Sequence, residues 1–202
     1  MIELGVLISG NGSNLQAIID AIETDALNGR IVTVISNKGD AYGLDRARKA
    51  GIRALHIDPD VSSTHDYNAA ICDELRTQGA QYVIMAGYMK LLGSEVLDAY
   101  PMRVLNLHPA LLPSFPGAHG IADALEHGVK VTGITVHFAD AQFDQGPIIA
   151  QTAIAIREED TEDSLTQRIH AAEHELYPKV LRWIEQGRIS VEGRRVSVHP
   201  VR

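Results

Sequence analysis

The sequence has 202 residues, enough for one domain with a sizeable buried core. Apolar residues make up 45% and charged residues 22%, a balance that excludes a disordered or fibrous chain. The net charge of −8 argues against a nucleic-acid partner, which needs a basic surface. In chain order, residues 4–9 read as a strand. Residues 14–23 read as a helix, with Leu15, Ile18, Ile19 and Ile22 on one side. Strands at 31–36 and 54–57 flank a short helix at 43–50. A helix at 65–78 leads to a strand at 82–86. A helical turn at 94–99 precedes a strand at 104–108. This repeated order predicts an α/β fold, a parallel sheet with helices on both faces.

The second half reads differently. Residues 110–120 are rich in Pro and Gly and read as a loop, and 121–126 as a short helix. Strands are expected at 131–138 and 148–156, with an irregular loop over 139–147. A long helix spans 160–186, containing or followed by a break at Pro178. Glu158, Glu159, Asp160, Glu162 and Asp163 suit its N-terminus. Residues 189–198, with Glu192-Gly193 central, predict a terminal hairpin. No linker separates parts of the chain, so 1–202 reads as one domain.

The sole cysteine, Cys72, has no intramolecular disulfide partner and suits a reducing compartment. It reads as a helix core residue. No basic and apolar leader opens the sequence, and it contains no apolar run of about 18 residues. An unexported, cytoplasmic protein without membrane contact is the expectation.

Three places carry chemistry. In Asn106-Leu107-His108-Pro109, side chains two apart on a strand share a face, so Asn106 and His108 point the same way. Pro109 has no N–H and ends the strand. An amide and an imidazole then stand at a strand's carboxyl end, where open α/β sheets bind ligands. The amide can steady an oxyanion, and the imidazole can donate to it or move a proton. Asp144, in Asp144-Gln145-Gly146-Pro147, is the candidate carboxylate. Beside His108 it favours imidazolium and is expected to raise the histidine pKa. Either residue alone also reads as structure, a strand-end histidine and a turn former.

Secondly, Ser9-Gly10-Asn11-Gly12-Ser13-Asn14 runs from a strand into a helix. Its N–H groups and the Ser13 hydroxyl suit a phosphate, or serve as a Gly-rich turn with a cap. The run lacks the Lys of a P-loop and the third glycine of a dinucleotide fingerprint, so a terminal monophosphate fits better. Thirdly, Met85-Ala86-Gly87-Tyr88-Met89-Lys90-Leu91-Leu92 is either a pocket wall for a flat heterocycle or a buried junction. His137 reads as a packed strand histidine. No spacing of His119, His127 or other residues makes a metal site.

On these motifs, with Leu111-Leu112-Pro113, Pro116-Gly117, Glu173-His174 and Tyr177-Pro178, the sequence resembles the folate-dependent formyltransferase family. The Gly10–Asn14 loop is similar to that of the branch acting on a glycinamide ribonucleotide in purine synthesis. The resemblance covers nearly everything before Gly187. It implies a Rossmann-like sheet, with residues 1–100 as the ribonucleotide half, 101–188 as the folate and catalytic half, and 189–202 as a hairpin or tail. Gly12, Ser13 and Asn14 would hold the phosphate, and Glu173 would contact the ribonucleotide. Met89, Lys90, Leu91 and Leu92, with Asn106, Asp140, Ala141, Gln142, Phe143 and Asp144, would bind 10-formyltetrahydrofolate as co-substrate.

Asn106 and His108 would stabilise the oxyanion, and Asp144 would charge His108 and help move the proton. No metal is implied, and the partners are small molecules; the sequence does not set the oligomeric state, and a homodimer is one assembly open to it. Thr64 stands where some members carry a basic residue near the folate tail, and His170 where others carry an amide. Ala118-His119-Gly120-Ile121 lacks a second histidine. Another formyltransferase, a formyltetrahydrofolate hydrolase and a non-catalytic nucleotide- or folate-binding module are the alternatives.

Overall fold

Strands covered by helices on both sides must be apolar on both faces. In the first strand Leu4, Val6 and Ile8 point into one core and Leu7 into another. The computed structural model describes residues 1–60 and 63–201. Along the chain lie β1 (Ile2–Ile8), α1 (Ser13–Glu23), β2 (Gly29–Ser36), α2 (Tyr42–Lys49), β3 (Ala54–His56), α3 (Thr64–Thr77), β4 (Tyr82–Met85), α4 (Ser94–Leu97) and β5 (Val104–His108). Then follow α5 (Gly120–Glu126), β6 (Val131–Phe138), β7 (Ile148–Ala155), α6 (Glu162–Glu185), β8 (Ile189–Glu192) and β9 (Arg195–Val198).

β1–β7 form one sheet in the order β3-β2-β1-β4-β5-β6-β7. The first five strands pair in parallel, and β6 runs antiparallel to both β5 and β7. The fold is a mostly parallel, Rossmann-like sheet flanked by helices on both faces. α1, α2 and α6 bury Leu15, Ile18, Leu44, Leu165, Ile169 and Val180 on one face. α3 and α4 bury Tyr67, Ile71, Leu75 and Val96 on the other. Cys72 belongs to this second core. β8 and β9 pair as a separate hairpin, and Arg202 lies outside the described residues.

α6 begins at a capping box in which the Thr161 and Ser164 side chains satisfy each other's backbone N–H. Glu162 and Asp163 occupy its first turn. The helix continues through Pro178 to Glu185, so the expected break is absent. Packing holds this turn despite the lost N–H. The fully buried Tyr177 donates its hydroxyl to the Met85 carbonyl at 3.1 Å or the Leu105 carbonyl at 3.0 Å. That contact ties α6 to two neighbouring strands, β4 and β5, whose carboxyl ends build the site.

Candidate active site

β5 sorts its side chains by parity. Leu105 and Leu107 join the core shared with α6, and Asn106 and His108 project to the other face. Position 106 is partly exposed, whereas His108 is buried. The neighbouring antiparallel strand places His137 directly opposite Asn106, and Thr135 opposite His108. Asn106 Nδ2 lies 3.2 Å from His137 Nε2 and donates to Asp144 Oδ1 at 3.3 Å.

Asp144 arrives on loop 139–147, which leaves and re-enters the sheet at nearly the same point. Phe138 N–H donates to the Pro147 carbonyl at 3.0 Å. Gly146 lies flush on Phe138, and an added Cβ would meet the Phe138 carbonyl oxygen at 1.7 Å. Asp144 itself adopts φ 56°, a left-handed conformation that Asp tolerates better than most residues. The turn carries its carboxylate back over β5, with Oδ2 3.3 Å from His108 Nδ1 and Oδ1 3.5 Å from His137 Nε2.

Loop 110–120 closes the cluster from the other side. The Phe115 carbonyl accepts from His108 Nε2 at 2.7 Å, and Gly117 N–H donates to Asp144 Oδ2 at 2.8 Å. A carbonyl only accepts, so Nε2 carries the proton and Nδ1 of the neutral ring presents a lone pair toward Asp144. Burial pushes the His108 pKa down, and this outweighs the upward pull of Asp144 and of the Phe115 carbonyl. The raised pKa expected from the carboxylate alone is thereby corrected. For Asp144, burial works upward, but the His137 ring, the Gly117 N–H and the His108 ring hold its carboxyl below the usual carboxylate range.

At the end of β1, Gly12 takes φ 75° and caps α1 without a side-chain bond. No acid occupies the first turn of α1, and the opening N–H groups of a helix have no partner within it. These features suit an anion. Asn14 Nδ2 donates to Glu173 Oε2 on α6 at 2.9 Å, with both residues buried, while Asn14 Oδ1 has no partner. Burial raises the Glu173 pKa against the opposing pulls of Asn14 and His170. His170 is exposed and stacks on His174 with ring centroids 6.3 Å apart.

These parts share a single cleft of about 570 Å³. Asn106, His108 and Asp144 line it, as do Met89, Lys90, Leu91, Leu92, Asp140, Gln142 and Phe143. Asn14 and Glu173 line it too, whereas Gly12, Ser13 and Ala141 do not. Thr64, exposed at the start of α3, is also absent from its walls. The 85–92 segment is both pocket wall and buried junction: Met85, Ala86, Tyr88 and Leu92 are buried in the cores, while Met89 and Leu91 are exposed and line the cleft. Ser9 fixes its entry by accepting from Met89 N–H at 2.9 Å and donating to Asn37 Oδ1 at 2.6 Å. Among the described residues, no group of three or more His, Cys, Asp or Glu is placed to hold a metal.

Two features escaped sequence reasoning. His137, read as a packed strand histidine, is buried but also touches Asn106 and lines the cleft. Loop 110–120 supplies backbone groups to both His108 and Asp144. The first would be legible only from the β5–β6 register. The second leaves no side-chain signature at all.

An amide and an imidazole at the carboxyl end of β5 meet a carboxylate from the β6–β7 loop, one strand along from the β1/β4 pair where the strand order reverses. That geometry is of an α/β enzyme that steadies an oxyanion and moves a proton. A family model described as formyl transferase matches residues 3–181. The phosphoribosylglycinamide formyltransferase of Escherichia coli (strain K12) is 43% identical over 92% of this chain and 88% of its own length. The trifunctional purine biosynthetic protein adenosine-3 of Drosophila melanogaster is 44% identical over 91% of this chain, which spans 14% of that protein. The crystal structure of glycinamide ribonucleotide transformylase 1 from Symbiobacterium toebii superposes with a TM-score of 0.97 at 50% identity, covering 99% of this chain and 95% of that one. The chain belongs to the formyl transferase family, among its phosphoribosylglycinamide formyltransferases.

Proposed function

We propose that the chain transfers the formyl group of 10-formyltetrahydrofolate to the glycinamide amine of 5-phosphoribosylglycinamide, a step of purine biosynthesis. The observation that carries this reading is the single cleft. It joins a phosphate-type helix entrance at Asn14 to an apolar wall at Met89–Leu92 through Asn106, His108 and Asp144. Gly12, Ser13 and Asn14 take the phosphate, and Glu173 takes the ribose side. Met89, Lys90, Leu91, Leu92 and the 140–144 loop take the folate.

The glycinamide nitrogen attacks the formyl carbon, and the carbonyl electrons move to oxygen. Asn106 Nδ2 turns to that oxyanion, exchanging two long contacts for a charge-assisted one. The attacking nitrogen gives its proton to the Asp144 carboxylate, which passes it to the His108 Nδ1 lone pair that faces it, and Asp144, ionised again, stabilises the imidazolium that results. The imidazolium then adds its own attraction to the oxyanion. The proton passes to N10 of the folate as the carbon–N10 bond breaks. No acyl-enzyme is required, because the amine is already a nucleophile.

The halves 1–100 and 101–188 are offered as functional divisions, each contributing to both substrates: Met89–Leu92 come from the first and Glu173 from the second. We place the protein in the cytoplasm, supported by its lone Cys72 and by the lack, among the described residues, of a helix long and apolar enough to cross a membrane. A homodimer is offered as the assembly. Sedimentation as one 22.0 kDa species would overturn that assembly.

The test is an assay of 10-formyltetrahydrofolate deformylation with and without 5-phosphoribosylglycinamide. Consumption that depends on the ribonucleotide and yields its formyl derivative is expected. Equal consumption without it would indicate a hydrolase instead.

A further inference from the structure

α2 is docked on the phosphate loop through contacts absent from the catalytic cluster. Gly43 N–H donates to the Gly10 carbonyl at 3.0 Å. Gly12 and Gly43 meet so closely that a Cβ on Gly12 would lie 2.6 Å from Gly43 Cα. Three residues further along α2, Arg46 grips the loop with its guanidinium. Its Nε donates to the Asn11 carbonyl at 2.9 Å, and Nη2 to Asn11 Oδ1 at 3.0 Å. Nη1 reaches Gln16 Oε1 in the first turns of α1 at 3.2 Å. The plane of the group lies over Tyr42, 4.9 Å from the ring centroid.

All three acceptors are neutral amide oxygens. Among the described residues Arg46 forms no ion pair, whereas Arg48 on the same helix pairs with Asp45, Arg53 with Glu74, and Arg168 with Asp160. A half-buried guanidinium held by amides keeps its full charge available. In a chain of net charge −8, that charge sits against the loop meant for a phosphate dianion.

We infer that Arg46 is a positioning residue for the ribonucleotide. It splints Asn11 to Gln16 so that the Gly12–Asn14 N–H groups stay aimed at the phosphate, and it supplies the local positive charge. The inference rests on the reading that Gly12, Ser13 and Asn14 hold the phosphate. The rigid fork fits this task as a lysine would not, because it spans a backbone carbonyl and two side-chain oxygens at once.

The test uses the full chain with Arg46→Met and Arg46→Lys. It measures KM for 5-phosphoribosylglycinamide, KM for 10-formyltetrahydrofolate, kcat, and competitive inhibition by ribose 5-phosphate. Arg46→Met is expected to raise the ribonucleotide KM and the ribose 5-phosphate Ki together by about tenfold, the scale of one charge-assisted hydrogen bond. kcat and the folate KM should stay within about twofold, which also shows that the variant is folded. Arg46→Lys should recover part of the loss by restoring charge without the fork, and no recovery would overturn the share assigned to charge. If ribose 5-phosphate does not compete with the ribonucleotide in the wild type, the phosphate-loop reading fails and takes the inference with it. If it competes, yet Arg46→Met leaves both constants unchanged, only the role of Arg46 fails. A parallel loss of kcat and of both substrates' affinities would make Arg46 a general structural residue and overturn the inference.

Discussion

Asp144 Oδ2 faces His108 Nδ1 across 3.3 Å, and that nitrogen is the one left without a proton when Nε2 bonds the Phe115 carbonyl. The carboxylate is thus placed to hold a proton that arrives on the ring rather than one already there. Asp144→Asn keeps the shape and removes the charge. Burial already holds the His108 pKa below its ordinary value of 6.5, and Asp144 opposes that shift. Loss of the charge lets the pKa fall further. The acidic limb of the kcat profile, which belongs to the pair as a unit, should move to lower pH. Turnover on the plateau should fall by about 10²-fold or more, the scale of a general acid–base contribution. Steady-state rates across pH decide this. An unmoved limb with near-normal turnover would reduce Asp144 to a turn former.

Ser13→Ala with Asn14→Ala should weaken ribonucleotide binding and leave folate binding nearly unchanged. Asn14 also holds Glu173 at 2.9 Å, so the double variant disturbs both ends of the ribonucleotide region while sparing the Met89–Leu92 wall. Calorimetry with each substrate separately measures the split. Equal losses for both would point to collapse of the β1–α1 junction.

Glu173→Gln should weaken ribonucleotide binding and yet stabilise the fold at neutral pH. Burial raises the Glu173 pKa above its ordinary 4.5, so the folded state prefers the protonated acid. Its favourable contribution is complete below that ordinary value and is lost as pH rises through the raised folded pKa. Glutamine has no such dependence and keeps an oxygen for Asn14 Nδ2. The stability advantage of the variant should therefore be absent well below pH 4.5 and grow as pH rises. Denaturant unfolding at several pH values follows it, and a constant difference would refute the assignment.

Gly146→Ala tests how Asp144 is aimed. The new methyl would meet the Phe138 carbonyl oxygen at 1.7 Å, so the turn must shift. A misplacement of about 1 Å can cost as much as 10²-fold in turnover. kcat and folate affinity should drop while ribonucleotide affinity holds. A variant with wild-type kcat would show that the loop reaches its catalytic pose without the Gly146 contact.

Elements with strong internal periodicity were legible in the sequence. The βα alternation through β5 and the shared face of Asn106 and His108 need only local parity. Pro178 misled because a missing N–H was weighed without the packing of Tyr177 on two strands. His137 is the packed strand histidine its sequence suggests, but its contact with Asn106 depends on the antiparallel register that sets the two opposite each other, a long-range fact. Arg46 and Asn11 lie far apart in the chain, and nothing local announces that they meet. Phe115 and Gly117 act through backbone groups, which any residue carries.

Loop 139–147 starts and finishes against Phe138, with its two ends joined by the Phe138–Pro147 hydrogen bond. Such a closed excursion is mechanically insulated from the sheet that carries it. Its tip, where Ala141, Gln142 and Phe143 are exposed, can change length or composition at a small entropic cost. The strands keep their register while it does so. Under the proposed assignment of this loop to the folate, selectivity can therefore drift without re-engineering the scaffold, provided that the stem keeps returning a carboxylate to the same spot.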